Sequence, residues 1–294
     1  MSNTLNRRQF LFAFGSAAGA LGLAACGNNA QSSSSEAKKE SDTKTTDTAS
    51  GADKYGKGAD FIVGFDQDYP PYGYVGSTGE FTGFDLELAQ AVCKKYEWNY
   101  KAQPINWDAK DAELNGGAIT CIWNGFTYEG RENNYTFSDK YMLNAQVVVV
   151  KASSGITKLS DLAGKTVATQ MDSAAEEVLQ GDKADLAATF GTLSLRSEYN
   201  TTFMELESGA IDAVACDLSV AAYQQSAKPG VYTMLDERLS SEHYAVGFKK
   251  GETDLAAKVT SALKELDADG TVKQLCDKYA DQGISYDNWC LGKE

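Results

Sequence analysis

The chain has 294 residues, 43% of them hydrophobic and 23% charged, which is enough for two compact units with cores of their own. A net charge of −14 repels phosphate backbones and disfavours nucleic acid as a partner. His243 is the single histidine, which weighs against Ser-His-Asp, Cys-His and histidine-rich metal chemistry, so neither a metal nor another cofactor is expected.

The opening, Arg7-Arg8-Gln9-Phe10-Leu11, leads into a weakly apolar run over 12–23 and then Leu23-Ala24-Ala25-Cys26. A basic start, a short apolar stretch and small residues before a cut site predict an export signal over 1–25. The run falls short of the roughly 20 residues that a bilayer crossing requires. Its arginine pair resembles a twin-arginine signal, with general secretory export as the alternative. Leu-Ala-Ala-Cys resembles a bacterial lipobox, which implies a lipidated (palmitate-bearing) Cys26 on the extracytoplasmic face of the cell membrane; a plain signal with a chance cysteine is the competing reading. Residues 26–58, rich in Ser, Thr, Ala, Lys, Asp and Glu, then read as the lipidated cysteine and a disordered tether, because such a segment cannot bury enough surface to offset its ordering entropy.

From Asp60 onward strands and helices alternate. Residues 61–65 suggest a strand, and Phe84, Leu88, Ala91 and Val92 recur at helical spacing. Strands are predicted over 118–123 and 145–150, the second with four consecutive valines suited to burial on both faces. The second half repeats the pattern: strand 166–169, helices 173–179 and 202–208, strand 213–216, helix 219–225, strand 243–248, and helical stretches over 253–279. Alternation of this kind implies α/β architecture. With Cys26 assigned to the lipid, five cysteines remain and cannot all pair within one chain. Cys276 and Cys290 flank a turn-rich segment in an oxidising compartment and form the expected disulfide. Cys93, Cys121 and Cys216 read as small buried hydrophobes.

Several blocks, taken in order, carry a family resemblance. They are 64–72 (Gly-Phe-Asp-Gln-Asp-Tyr-Pro-Pro-Tyr) with 82–89, then Gly125-Phe126-Thr127 with Arg131 and Phe137-Ser138, and next 159–165, 170–177, 209–214, 217–223 and 245–250. Together they resemble the bacterial extracellular solute-binding proteins of family 3, the polar amino-acid group, over nearly all of residues 60–280. The resemblance implies a two-lobed, type II periplasmic-binding-protein-like α/β fold with two hinge crossover strands. Residues 60–143 plus 245–294 would form the first lobe and 147–241 the second. It further implies a monomeric substrate-binding component of an ABC importer, taking a small L-amino acid and docking on a membrane permease with its ATPase.

A free amino acid carries two charges that cannot be buried unpaired. By resemblance, Arg131 would bind the ligand carboxylate with its planar fork, helped by backbone N–H groups near Thr127, Ser173 and Ala174. Asp217 and the Gly125 carbonyl would take the ammonium. Tyr69 and Trp107 would wall the ligand, while Asp66, Trp123 and Asn124 would help select its side chain. Each has a bland alternative: Asp217 as a helix cap, Arg131 as a surface ion pair among Glu129, Glu132 and Asp139, and the aromatics as packing. One residue fewer separates Gly125-Phe126-Thr127 from Arg131 than the family usually carries, and Gly130 suits the tighter turn that this demands. A polar or neutral ligand such as glutamine or cystine is preferred over a basic one. Two rival functions stay open. One is a cyclohexadienyl or arogenate dehydratase on the same fold, with Glu113 or Glu129 as its acid or base. The other is a ligand-sensing domain for a receptor partner.

Overall fold

The structure, a computed structural model, describes residues 54–293. The export signal, Cys26 and nearly all of the tether lie outside the described residues. The first part of the chain runs through β1 (Asp60–Phe65), β2 (Asp68–Tyr69), β3 (Gly73–Val75), β4 (Phe81–Thr82), α1 (Phe84–Tyr96), β5 (Asn99–Pro104), α2 (Lys110–Gly116), β6 (Cys121–Ile122) and β7 (Tyr135–Phe137). The middle part holds β8 (Met142–Lys151), β9 (Thr166–Gln170), α3 (Ala174–Gln180), α4 (Ala184–Ala187), β10 (Thr192–Arg196), α5 (Tyr199–Ser208), β11 (Ala213–Asp217), α6 (Leu218–Ala227), β12 (Tyr232–Met234) and β13 (Ser240–Tyr244). The chain then returns through β14 (Gly247–Lys249), α7 (Thr253–Ala268) and α8 (Thr271–Lys278).

These strands build one large sheet in each lobe and a small antiparallel β2-β3-β4 sheet. The first has the order β5-β1-β6-β14-β7, and the second β10-β9-β11-β8-β12 with β13 also paired to β8. The chain crosses from the first lobe to the second along the start of β8 and returns along β13. Those two strands lie antiparallel with Tyr244 opposite Met142 and Glu242 opposite Asn144, so the crossings run side by side.

Helix α1 follows its predicted spacing, with Phe84, Leu88 and Val92 buried and Ala91 half-buried. Gly83 sets its start: φ is +136°, and a Cβ there would sit 2.3 Å from the Tyr72 carbonyl oxygen. On β8 the alternation of a strand divides the valines. Val147 and Val149 pack into the large core that includes Val214 and Val220, whereas Val148 and Val150 pack with Leu162, Val167 and Leu179. Each buried side chain of this kind contributes roughly 1.5–3 kcal/mol.

Two expected elements divide in the structure. The run 243–248, read as one strand, changes sheets: β13 ends on β8, and β14 pairs with β6 and β7. Side-chain period is the same on both sides of Ala245, so alternation does not reveal a change of partner. The helical stretch 253–279 breaks at Gly270, whose φ of +84° lies in the left-handed region.

The Cys276–Cys290 disulfide is not formed; both thiols are free. Helix α8 turns Cys276 into the core, while Cys290 is held elsewhere. Its N–H donates to the Tyr141 carbonyl at 2.9 Å beside the first crossing, and it lines a surface cavity with Tyr128 and His243. Cys93, Cys121 and Cys216 are buried, as expected. Alkylation of the folded protein should therefore label Cys290 and spare the other four of these thiols, which unfolding exposes; a peptide map containing a Cys276–Cys290 crosslink would overturn this.

Candidate functional site

Strands β1, β5 and β6 of the first lobe, and β9 and β11 of the second, deliver the loops after their carboxyl ends to a common cleft. A narrow cavity there, of about 10 Å³, is lined by Tyr69, Trp107, Gly125, Thr127 and Arg131 from one lobe and by Gln170, Ser173, Ala174 and Asp217 from the other. Of the residues expected at the site, Asp66, Trp123 and Asn124 are off this lining; Asp66 reaches the cavity through Gln170, whose Nε2 donates to Asp66 Oδ2 at 2.6 Å. Trp123 and Asn124 are buried behind it, and Asn124 Oδ1 accepts the Asp66 N–H at 2.9 Å.

The shortened loop closes as a tight turn. The Arg131 N–H donates to the Tyr128 carbonyl at 3.2 Å, and Gly130 has φ +82°, the sign that a type II turn requires at its third residue. This turn buries Arg131 to 4% exposure and lays its guanidinium over the Phe126 ring at 4.8 Å. The guanidinium is also an ion-pair partner, across the cleft: Nη2 and Nε donate to the exposed Glu177 at Oε1, at 2.8 and 3.1 Å. Nη2 further donates to the Asp172 carbonyl at 3.3 Å, as Trp107 Nε1 does at 3.1 Å and Lys110 Nζ at 3.4 Å. Asp172 presents that carbonyl from a left-handed conformation, φ +56°, which an aspartate tolerates better than most residues. Burial first, and the Arg131 charge second, hold Lys110 below the ordinary lysine range. Ser173 caps α3, its Oγ accepting the Glu176 N–H at 3.2 Å, and Ala174 opens the helix at the cavity wall.

At the other end, Asp217 occupies the N-cap position of α6, yet its side chain makes no capping bond. It turns instead toward the hinge, where Oδ1 accepts from Asn144 Nδ2 at 2.7 Å, Gln146 Nε2 at 2.8 Å and Tyr244 Oη at 2.8 Å. The same two amides donate to Glu242 Oε1 at 2.7 and 2.8 Å. Burial, followed by the Asp217 charge, pushes Glu242 up to about 7, and burial pushes Asp66 up to about 6.

Gly125 is required for two reasons: φ is +57°, and a Cβ would come within 3.0 Å of the Tyr69 ring and 3.1 Å of the Tyr244 ring. Its N–H donates to Asp85 Oδ2 at 2.6 Å, and Tyr141 Oη donates to the same fully buried carboxyl at 2.8 Å. Asp85 thus anchors the loop that carries Gly125 and Thr127. Sequence reasoning missed Gln170, Glu177 and the hinge residues Asn144, Gln146, Glu242 and Tyr244. A signal for two of them existed: amides at alternate positions leading into a run of valines. The rival acid or base candidates have other places. Glu129 accepts from His243 and Lys140, and Glu113 lines a second, outer cavity.

Two α/β lobes joined by paired crossings, with a cavity enclosed by carboxyl-end loops of both, define a two-lobed, type II binding-protein fold, and its solved relatives are amino-acid binders. The chain belongs to the bacterial extracellular solute-binding proteins, family 3, whose profile matches residues 61–282. Among curated relatives, it is 28% identical over 221 residues to the L-cystine-binding protein TcyJ of Escherichia coli (strain K12), covering 74% of this chain and 81% of that one. Among solved structures, it resembles an ABC uptake transporter substrate-binding protein from Streptococcus pneumoniae with bound histidine: 32% identity, TM-score 0.74, 77% of this chain and 94% of that one. An ancestral arginine-binding protein bound to glutamine matches with 32% identity and TM-score 0.69, over 75% of this chain and 97% of that one.

The buried Asp85 makes stability depend on pH. Burial pushes its carboxyl up to about 7 in the folded protein, against about 4 for an exposed aspartate. The folded state therefore holds the proton more tightly, and the associated stability is complete below about pH 4 and lost as the pH rises through about 7. Between about pH 5 and about pH 8 the Asp85→Asn protein should lose less unfolding free energy than the wild type in denaturant titrations. Equal losses in the two proteins would refute the assignment.

Proposed function

We propose that this protein is the substrate-binding component of an ABC importer, holding a small L-amino acid between its lobes and delivering it to a membrane permease driven by an ATPase. One observation carries the reading: a buried guanidinium, Arg131, and a buried carboxylate, Asp217, come from opposite lobes to line one small cavity. A zwitterion offers each of them a partner of opposite charge. Relatives whose names specify cystine, histidine or glutamine support the same class of ligand.

In this reading Arg131 and the N–H groups near Thr127, Ser173 and Ala174 take the ligand carboxylate, which displaces or shares the Glu177 contact. Asp217 and the Gly125 carbonyl take the ammonium. Tyr69 and Trp107 flank the stem, and Asp66 with Gln170 meets the side chain. Beyond them lies the outer cavity of about 430 Å³, which shares Trp107 with the inner one and is further lined by Asp66, Asp68, Glu113 and Glu198. Four carboxylates at that mouth favour a side chain ending in hydrogen-bond donors over one ending in an acid. Binding and not turnover is the function proposed, since Glu129 is engaged by His243 and Lys140 away from the inner cavity. No described helix is long and apolar enough to cross a membrane; retention at the membrane is assigned to a lipid on Cys26, on the strength of the lipobox.

A thermal-shift screen of the proteinogenic L-amino acids plus L-cystine tests the reading. A ligand at 100 times its Kd adds about 2.7 kcal/mol, or roughly 5–10 °C for a protein of this size. Amide- or cation-bearing amino acids should outrank aspartate and glutamate by about tenfold in affinity. Arg131→Met and Asp217→Asn should each weaken binding about a hundredfold or more, because each leaves a buried ligand charge unpaired. No shift with any of these compounds would defeat the proposal. Separately, Cys26→Ser should release the exported protein from the membrane fraction into the medium or periplasm; retention of this variant would remove the lipid anchor.

A further inference from the structure

The hinge places a second buried acid next to the proposed ammonium site. Glu242 sits on β13, 4% exposed, directly across from Asn144 on β8, while Asp217 sits across from Gln146 on the other side of the same strand. Asn144 and Gln146 therefore point from one face of β8 between two carboxylates, and each amide nitrogen donates to both. Glu242 Oε1 accepts a third bond, from the Thr127 hydroxyl at 2.9 Å. A threonine hydroxyl has one hydrogen and two lone pairs. With the hydrogen spent on Glu242, the hydroxyl of Thr127, which lines the cavity, offers that cavity only an acceptor.

We infer that Glu242 is a positioning residue for the ligand's ammonium group: it fixes Thr127 as an acceptor and, by sharing both hinge amides with Asp217, adds a second negative charge to that end of the cavity. The inference rests on the proposed amino-acid ligand and deepens it. Glu242 is at one remove from the ligand and acts through Thr127 and through its field. A cation arriving beside the pair favours the ionised form of Glu242, so binding expels a proton over the range where that carboxyl titrates. The charged and titratable groups around it are few. Asp217 faces it from β11, Tyr244 lies on its own strand, and Tyr69 meets Tyr244 from the first lobe, the two hydroxyls 3.4 Å apart. His243, with Glu129 and Lys140, occupies the opposite face of the strand.

The test compares three amino acids with counterparts lacking the α-amino group: L-arginine with 5-guanidinopentanoate, L-glutamine with glutaramate, and L-cystine with 3,3′-dithiodipropionate. Near neutral pH, Glu242→Gln should weaken the amino acid that binds best by about tenfold, while its des-amino counterpart changes by less than about twofold. Wild-type affinity for that amino acid should rise between about pH 5.5 and about pH 8, and the rise should be lost in Glu242→Gln. Calorimetry of the wild type near pH 6.5, in buffers with different heats of ionisation, should register proton release on binding. That measurement decides the matter even if the variant does not fold. The inference is overturned by an unchanged variant, by equal loss for amino acid and counterpart, or by binding without proton release. If the wild type binds none of the three amino acids, the amino-acid reading itself fails, which is a different result from wild-type binding that Glu242→Gln leaves intact.

Discussion

A buried charge must meet a fixed partner, and in this protein two of opposite sign are held on separate lobes around a single cavity. Arg131 is secured by a turn that Gly130 favours and by the Phe126 ring, and Asp217 by two amides and a tyrosine of the hinge. Every other feature of the cleft serves one of those placements or the approach of the lobes. The lobes also meet directly, through Arg131 with Glu177, Asp66 with Gln170, and Asn200 Nδ2 donating to Asp68 Oδ1 at 2.8 Å. A ligand adds to that balance only by binding the closed arrangement better than the open one.

The hinge is more than a connection. One face of β8 carries Asn144 and Gln146 at the crossing and Val148 and Val150 deeper in the lobe, so a single strand supplies both site geometry and core. β13 adds Glu242 and Tyr244 with the same alternation. Asp85 plays the matching part in the first lobe, holding the Gly125 peptide and the Tyr141 hydroxyl on one buried carboxyl.

Much of the cleft was legible before any coordinates. Arg131, Asp217, Tyr69, Trp107, Gly125, Thr127, Ser173 and Ala174 were assigned by the family resemblance of their blocks, and all line the cavity. The capping reading of Asp217 was equally consistent with its local sequence; only the side chain's direction, toward β8 and β13 and away from α6, separates the two. Glu177 has no local mark that distinguishes it from other carboxylates on α3, because its partner is 46 residues away on the facing lobe.

By itself, then, the sequence determined the alternation of strand and helix, the buried valine strand and the tight turn at Gly130. These follow from side-chain period and backbone sterics, which act over a few residues. The tertiary structure decided the sheet change after β13, the two free thiols at Cys276 and Cys290, and the sharing of Asn144 and Gln146 between Asp217 and Glu242. Each of these depends on which distant segments become neighbours, and burial there determines what a carboxylate, an amide or a thiol does.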